Sequence, residues 1–491
     1  MIFQNERNNK LIKKSNSRSA LDILFYPSSL AVVGVSGNPD ASFNSGNLFL
    51  EKLQHFGYRG RLYAVGSSGG EVAGFNIYKT IKDIPDTVEY VIVAIPNRSM
   101  PQFIEDCGQK GVKIIHMFTS GFEEIEDPMG TGLQQEILKI AAGYNIRLLG
   151  PNCVGVYCPK SRMTLSERFS DIEGHVSYIS QSGGQSMFGI MEANGRDIYL
   201  SKQVSYGNAC DINECDLIEY LTQDPDTDII TAYIEGTNDG LRLFRTLKEA
   251  TAKKPVVVFK CAATDGGTNA AVSHTGAIAG SNIIWDSMLR QTGAIRVYNI
   301  KEMFDVVTVL QRCKEINGLR TLIMGHGGGT CVQATDDCCR AGLTVPLLPA
   351  EYKQALMKVY GTETGNIFKN PIDINPYLGM GFSGPAFKAV SDWPDADIIL
   401  IPAVPEQNPM RAREVQYQVY TDTFIEWAKM SGKPVVVALS VNTMPGDDGL
   451  PERSFKKLLD AGVAVFPSVQ RAATALYRVY QYYQWRRENK T

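Results

Sequence analysis

From Leu21 onward, short apolar runs rich in β-branched residues alternate with longer amphipathic segments. The first series contains "LAVVGVS", "RLYAVG", "EYVIVAIP", "VKIIHMF" and "IRLLG", separated by stretches such as "NLFLEKLQHF" and "LQQEILKIAAGY". Continuous apolar runs of strand length alternating with helical patterns predict βαβ units around a buried parallel sheet. The alternation pauses at "PNCVGVYCPKSRMTLSERFSDIEG", which reads as a linker. It resumes with "HVSYIS", "DIITAYIEG" and "KPVVVFK", and again near Leu319 with "LRTLIMG", "ADIILIPAV", "KPVVVALS" and "VAVFP". A chain of 491 residues has room for three domains of ordinary size. We therefore expect α/β domains at 20–155, 170–315 and 318–488, after a polar, disordered lead-in at 1–19. The recurring "KKPVVVF" and "GKPVVVAL" make the second and third alike in architecture.

Composition narrows the function classes. A net charge of −3 and a pI near 6.1 give no broad basic surface for nucleic acid or membrane. The apolar runs are far short of a membrane span, and the lead-in lacks the apolar centre of a secretory signal. The ten cysteines include no CxxC pair and no Cys/His zinc spacing. They read as packed free thiols of a cytoplasmic protein, with no metal site expected.

In parallel sheets, ligands collect at the carboxyl ends of strands. The first strand ends in "GVSGNPDASFNSGN", where Gly34, Ser36 and Gly37 make a tight turn and Gly46 permits close backbone approach. The turn suits a nucleotide-like ligand, although an ordinary βα turn has the same look. It is not GxGxxG, and Gly66-Ser67 stands after the second strand where an NAD site wants an acidic residue. In the second series, "SQSGG" places Ser182 as the cap of a helix whose first N–H groups are exposed by Gly183 and Gly184. That is an anion site by dipole and by orphan donors, and also what any capped helix offers. Glu235 closes the strand of "DIITAYIEG", on the same rim. "NAAVSHTGAIAGS" then sets His274 among small residues after another strand. It is either a polar residue in a surface loop or a reactive imidazole on a segment that must move. An imidazole held by a carboxylate beside a phosphate-binding helix terminus can accept a phosphoryl group on nitrogen.

The combination of "SQSGG", "YGNACDINECDLIEYLTQDPDTDIITAYIEG" and "AAVSHTGAIAGS" resembles the NDP-forming acyl-CoA synthetases, nearest to the α subunits of the ADP-forming acetyl-CoA synthetases and related to succinyl-CoA synthetase α. "RLLGPNCVGV", "GHGGGTCVQATDDCCRAGL" and "NPIDIN" extend the resemblance over nearly the whole chain. It implies a Rossmann-like CoA-binding domain followed by two flavodoxin-like domains. His274 would be the phosphohistidine, Ser182, Gly183 and Gly184 would hold its phosphoryl group, and Glu235 would orient the ring. CoA would lie on Gly34, Ser36, Gly37, Asn38 and Pro39 and on Ile95, Pro96 and Asn97, with Gly66 near its adenosine end and Asn152 and Cys153 near its thiol. Cys153 reads as packing rather than as a nucleophile. The implied reaction joins a carboxylic acid and CoA through an acyl phosphate and the phosphohistidine, with no prosthetic group. ATP-grasp domains and a Walker loop are absent from these residues, so ATP/ADP and Mg are expected on a separate β subunit, in an α2β2 assembly. Asn269 stands where the pattern has arginine, "AVGSSG" lacks an Asn-Pro, and His326 replaces a common asparagine. His326 reads as a turn residue, with a second reactive imidazole as the other reading. A non-catalytic acyl-CoA-binding or regulatory homologue is the alternative function, and an NAD-linked oxidoreductase a more distant one.

Overall fold

The computed structural model describes residues 21–38, 44–125, 127–262, 281–374, 382–403, 410–440 and 449–489. His274 and Pro39 lie outside them. The chain divides into two compact units. The first comprises residues up to Ile172 together with Gln181–Gly183 and Lys202–Asn213; the second comprises Glu173–Ser180, Gly184–Ser201 and Glu214 onward.

In the first unit, strands Ser29–Val33, Arg61–Val65, Tyr90–Val93, Ile114–Met117 and Arg147–Leu149 form a parallel sheet, and Glu71–Val72 and Phe75–Tyr78 complete its edge. Ser29–Val33 and Tyr90–Val93 are buried at every position, which explains why they read as unbroken apolar runs. Helix Ser45–Phe56 begins where the Asn44 side chain accepts the Asn47 N–H at 2.9 Å and ends at Gly57 with φ +78°. Such a cap contributes about 1 kcal/mol. Helices Met100–Lys110 and Pro128–Gly143 turn Ile104, Cys107, Ile137 and Ala141 into one core with Val91, Val93, Ile115 and Leu148.

The stretch expected to be a linker contains a strand, Gly155–Tyr157, paired antiparallel with Gln203–Ser205. The segment after it stays in the same unit. Backbone bonds join Asn208 N–H to the Pro151 carbonyl (3.0 Å), Cys210 N–H to Gly150 (3.1 Å) and Ile212 N–H to Leu148 (3.1 Å). Asp211 completes the clip with Arg147 Nε at 2.9 Å and Leu148 N–H at 2.8 Å. Gly207 is required there, because a Cβ would stand 2.1 Å from the Pro151 carbonyl oxygen.

The second unit holds two parallel layers. Val176–Ser180, Ile229–Ile234, Val256–Lys260 and Ile295–Val297 pair in that order. Ile372–Asp373, Thr321–Gly325, Ile398–Ala403, Val435–Leu439 and Ala464–Phe466 form the other, with Ile367–Phe368 antiparallel at its edge. Buried Asp305, on helix Ile300–Arg312, receives Arg196 at 2.6 Å and Arg471 at 2.7 Å. This ties the terminal helix Val469–Glu488 to the first layer. Removing one partner of such a buried pair costs several kcal/mol. All ten cysteines are free thiols. Among the described residues no helix is long and apolar enough to cross a membrane, and no group of three His, Cys, Asp or Glu side chains is placed to hold a metal ion.

Candidate functional site

In the first unit, parallel pairing sets Val33 level with Val65 and with Val93, and Val93 level with Met117. The turns after these four strands therefore leave from one sheet edge. Gly34, Gly66, Ile95 and Thr119 follow there. Close backbone packing dictates the glycines: a Cβ on Gly34 would stand 2.3 Å from the Ala94 carbonyl oxygen, on Gly46 2.6 Å from that of Gly34, and on Gly66 2.0 Å from that of Val35. Gly34 also has φ +99°.

Asn47 grips the backbone of Ser36 from both sides, accepting its N–H and donating to its carbonyl, each at 2.9 Å. The N–H of Gly37 reaches Ser68 Oγ and that of Asn38 reaches Ser36 Oγ, both at 3.2 Å. These bonds are long for their kind and surface-exposed, so the donors can turn to an anionic ligand. Asn47 and Ser68 were not singled out in the sequence; the asparagine so soon after a glycine-rich turn was the available signal.

The Ile95-Pro96-Asn97 turn is anchored by Thr119 Oγ1, which donates to the Ile95 carbonyl at 2.8 Å, and by Asn97 Nδ2, which donates to the Gly121 carbonyl at 2.6 Å. The Thr119 carbonyl in turn accepts Asn152 N–H at 3.0 Å. Asn152 has φ +58°, a conformation asparagine tolerates better than most residues. Thr119 thus links two of the expected CoA segments. Cys153 is 2% exposed, with its Sγ 3.6 and 3.7 Å from the Leu149 and Met117 carbonyl oxygens. Burial pushes its thiol well above the ordinary range, which opposes formation of a thiolate nucleophile. Beneath this turn lies His116, whose Nε2 is 3.1 Å from the Cys153 carbonyl. Its imidazole fills the place a Cβ on Gly155 would take.

In the second unit, Ser180 pairs with Tyr233 and Ile234 with Lys260. The chain therefore leaves all three strands at one edge. Ser182 and Gly183 belong to the first unit, where a Cβ on Gly183 would meet Val154 at 3.1 Å. Helix Gly183–Asn194 starts directly after Ser182. From Gly184 on it belongs to the second unit, where Gly189 lets it lie on the Tyr178 ring and Tyr178 Oη donates to the Gln185 carbonyl at 3.0 Å. Glu235, 8% exposed, follows the central strand. The loop beyond it is braced by Thr237 Oγ1, which donates to Glu214 Oε1 at 2.6 Å. Burial raises the Glu214 carboxyl above its usual value, making it a second buried carboxylate close to this edge.

The segment carrying His274 springs from Ala262, at φ +57°, and helix Asn282–Thr292 follows it. Asn282 Nδ2 donates to the Ala262 carbonyl at 3.1 Å, closing the base of the segment. His326 is buried, its ring centroid 3.9 Å from that of Phe382 and its Nδ1 2.6 Å from the Ile374 carbonyl oxygen. It sits in the bend between strand Thr321–Gly325 and helix Gly328–Ala341.

Two family models match the chain: a CoA binding domain over residues 28–159 and a succinyl-CoA ligase-like flavodoxin domain over residues 173–310. A glycine-tight Rossmann-like sheet joined to a flavodoxin-like ligase layer defines a chain of the CoA-ligase class. The chain is 32% identical to the α subunit of ADP-forming acetate–CoA ligase I of Pyrococcus furiosus, over 96% of this chain and 99% of that one. It is 27% identical to the ADP-forming 4-hydroxybutyrate–CoA ligase of Nitrosopumilus maritimus, covering 94% of this chain but 64% of that longer protein. The solved structure of apo dinucleotide-forming acetyl-coenzyme A synthetase 1 from Ca. Korarchaeum cryptofilum superposes with a TM-score of 0.80 at 28% identity, covering 96% of this chain and 100% of that one. The chain belongs to the NDP-forming acyl-CoA synthetases, acid–CoA ligases of the ADP-forming kind, as a member of the α-subunit type.

Proposed function

We propose that this chain is the CoA-binding, phosphohistidine-carrying subunit of an ADP-forming acyl-CoA synthetase for a small carboxylic acid. The observation that carries the reading is the edge of the second unit where the strands ending at Ser180, Ile234 and Lys260 stop within one residue of each other, with buried Glu235 following one strand and the His274 segment following another.

In the acyl-CoA-consuming direction, a phosphate oxygen attacks the thioester carbonyl and the CoA thiolate leaves. The imidazole nitrogen of His274 then attacks the phosphorus of the acyl phosphate and the carboxylate leaves. A terminal oxygen of ADP finally takes the phosphoryl group, and the imidazole nitrogen is released neutral. Glu235 holds the other ring nitrogen and balances the imidazolium charge, while Ser182, Gly183 and Gly184 offer N–H donors to the phosphoryl oxygens. CoA lies along Gly34, Ser36, Gly37, Asn38, Pro39, Gly66 and the Ile95-Pro96-Asn97 turn, with its thiol toward Asn152 and Cys153. The nucleotide and its Mg bind an ATP-grasp β subunit in an α2β2 assembly in the cytoplasm. Retention of His274, Glu235 and Ser182 together favours this enzyme over a non-catalytic acyl-CoA-binding homologue.

The test is phosphorylation of the full chain by acyl phosphate, or by ATP in the presence of the β subunit. An acid-labile, alkali-stable label should appear and should vanish in His274→Asn, while calorimetry shows CoA affinity nearly unchanged. A His274→Asn protein that still supports ATP formation at the normal rate refutes the mechanism.

A further inference from the structure

Lys260 ends the strand Val256–Lys260 and is fully buried, an uncommon setting for an ammonium group. Among the described residues its Nζ makes one hydrogen bond, to the Cys261 carbonyl at 2.6 Å, although an ammonium has three donors. It also lies 5.4 Å from the centroid of the Trp285 ring. Cys261 stands before the His274 segment and Trp285, on helix Asn282–Thr292, stands after it. The ammonium thus touches both sides of the base that Asn282 closes on Ala262.

Its neighbours in charge are Glu235, Cys261 and Arg296, and burial foremost lowers its proton affinity. Tyr233 and Cys261 face Glu235 as well, both held protonated chiefly by burial. Lys260 thus lies within electrostatic reach of Glu235, whose charge favours the ammonium, and of the Arg296 guanidinium, which opposes it. Keeping a buried cation is costly unless a negative charge needs it.

We propose that Lys260 is a positioning residue for phosphoryl transfer: it pins the base of the His274 segment and supplies the positive charge that lets Glu235 and a phosphoryl group share one sheet edge. This rests on the phosphohistidine reading above. No covalent step passes through Lys260.

The full chain is incubated with radiolabelled acetyl phosphate, and acid-labile label is measured between pH 6 and 9 in roughly half-unit steps, fine enough to resolve a one-unit shift. The variants are Lys260→Met, Lys260→Gln and Lys260→Arg. Removing the charge in Met or Gln should lower the labelled fraction roughly tenfold or more and displace its acid limb upward, as Glu235 loses its countercharge. The Arg variant should keep most of the label. CoA affinity should not change, and Trp285-dependent fluorescence shows whether the neutral variants keep their fold. Should Lys260→Met unfold, Gln decides on the same terms: it retains a donor for the Cys261 carbonyl but no charge. Wild-type labelling in Met or Gln overturns the proposal, as does an equal loss in Arg and Gln with native fluorescence. A wild-type chain that takes no label overturns the phosphohistidine reading itself, which is a different result.

Discussion

Acid should weaken the first unit through one buried imidazole. His116 is 1% exposed, with Nε2 as the donor to the Cys153 carbonyl and Nδ1 without a hydrogen-bond partner among the described residues. Burial pushes its pKa from 6.5 down to about 4. The folded state keeps the ring neutral where the unfolded chain already binds a proton. Its contribution is therefore complete above pH 6.5 and is lost as the pH falls toward 4. The span of about 2.5 units corresponds to roughly 3 kcal/mol, of which roughly 2 kcal/mol is gone by about pH 5. Of the other shifted groups of this unit, Tyr63, Tyr90, Cys107, Cys153, Tyr157, Cys158 and Cys210 move upward and Asp171 moves downward, all away from that window. All four tryptophans lie in the second unit, so fluorescence cannot see the effect. Hydrogen exchange of the Ile114–Met117 strand in the full-length chain can, with protection compared at about pH 8 and pH 5. His116→Gln removes the titration and leaves an amide donor for Cys153. It should be less stable at the higher pH through altered packing, yet lose roughly 2 kcal/mol less than the wild type on acidification. Equal losses in the two proteins would refute the reasoning.

The glycines of the strand-end turns should differ in tolerance. Gly66→Ala puts a Cβ 2.0 Å from a backbone oxygen and should abolish CoA binding in calorimetry, whereas Gly37→Ala meets its nearest atom at 3.2 Å and should weaken binding only modestly. Asp211→Asn breaks the Arg147 pair, whose side chains are 34% and 24% exposed; the cost should be about 1 kcal/mol, read as faster exchange at Asn208–Ile212.

The strands could be read from the sequence because burial on both faces leaves unbroken runs such as "AVV" and "PVVVF", and the level strand ends followed from parallel pairing. The return of Lys202–Asn213 to the first unit could not. "YGNACDIN" has no apolar period, and its place depends on backbone bonds to residues far away in sequence. The same physical reason separates the site residues that were visible from those that were not. Ser182, Glu235 and the glycine turns belong to local patterns, a cap or a strand end. His326 was visible too, but its packing against Phe382, a residue far away in sequence, was not.

His116 sits inside the apolar run "KIIHMF", and its importance arises from two distant residues: Cys153, which takes its hydrogen bond, and Gly155, which leaves room for its ring. Lys260 is hidden in the opposite way. A lysine ending a strand reads as a solvated charge, and nothing local says that Trp285, beyond the His274 segment, will cover it. Both are buried ionisable groups in direct contact with backbone in or beside a segment expected to carry ligand or phosphoryl group. Retaining such groups costs stability, which an apolar residue of similar volume would not. The cost falls where the backbone must be held in one conformation: His116 under the Asn152–Cys153 turn, Lys260 at Cys261–Ala262. In both cases the side chain binds a main-chain carbonyl of the segment it supports. A hydrophobic replacement could fill either space, but it would leave that carbonyl without its buried donor and release the turn.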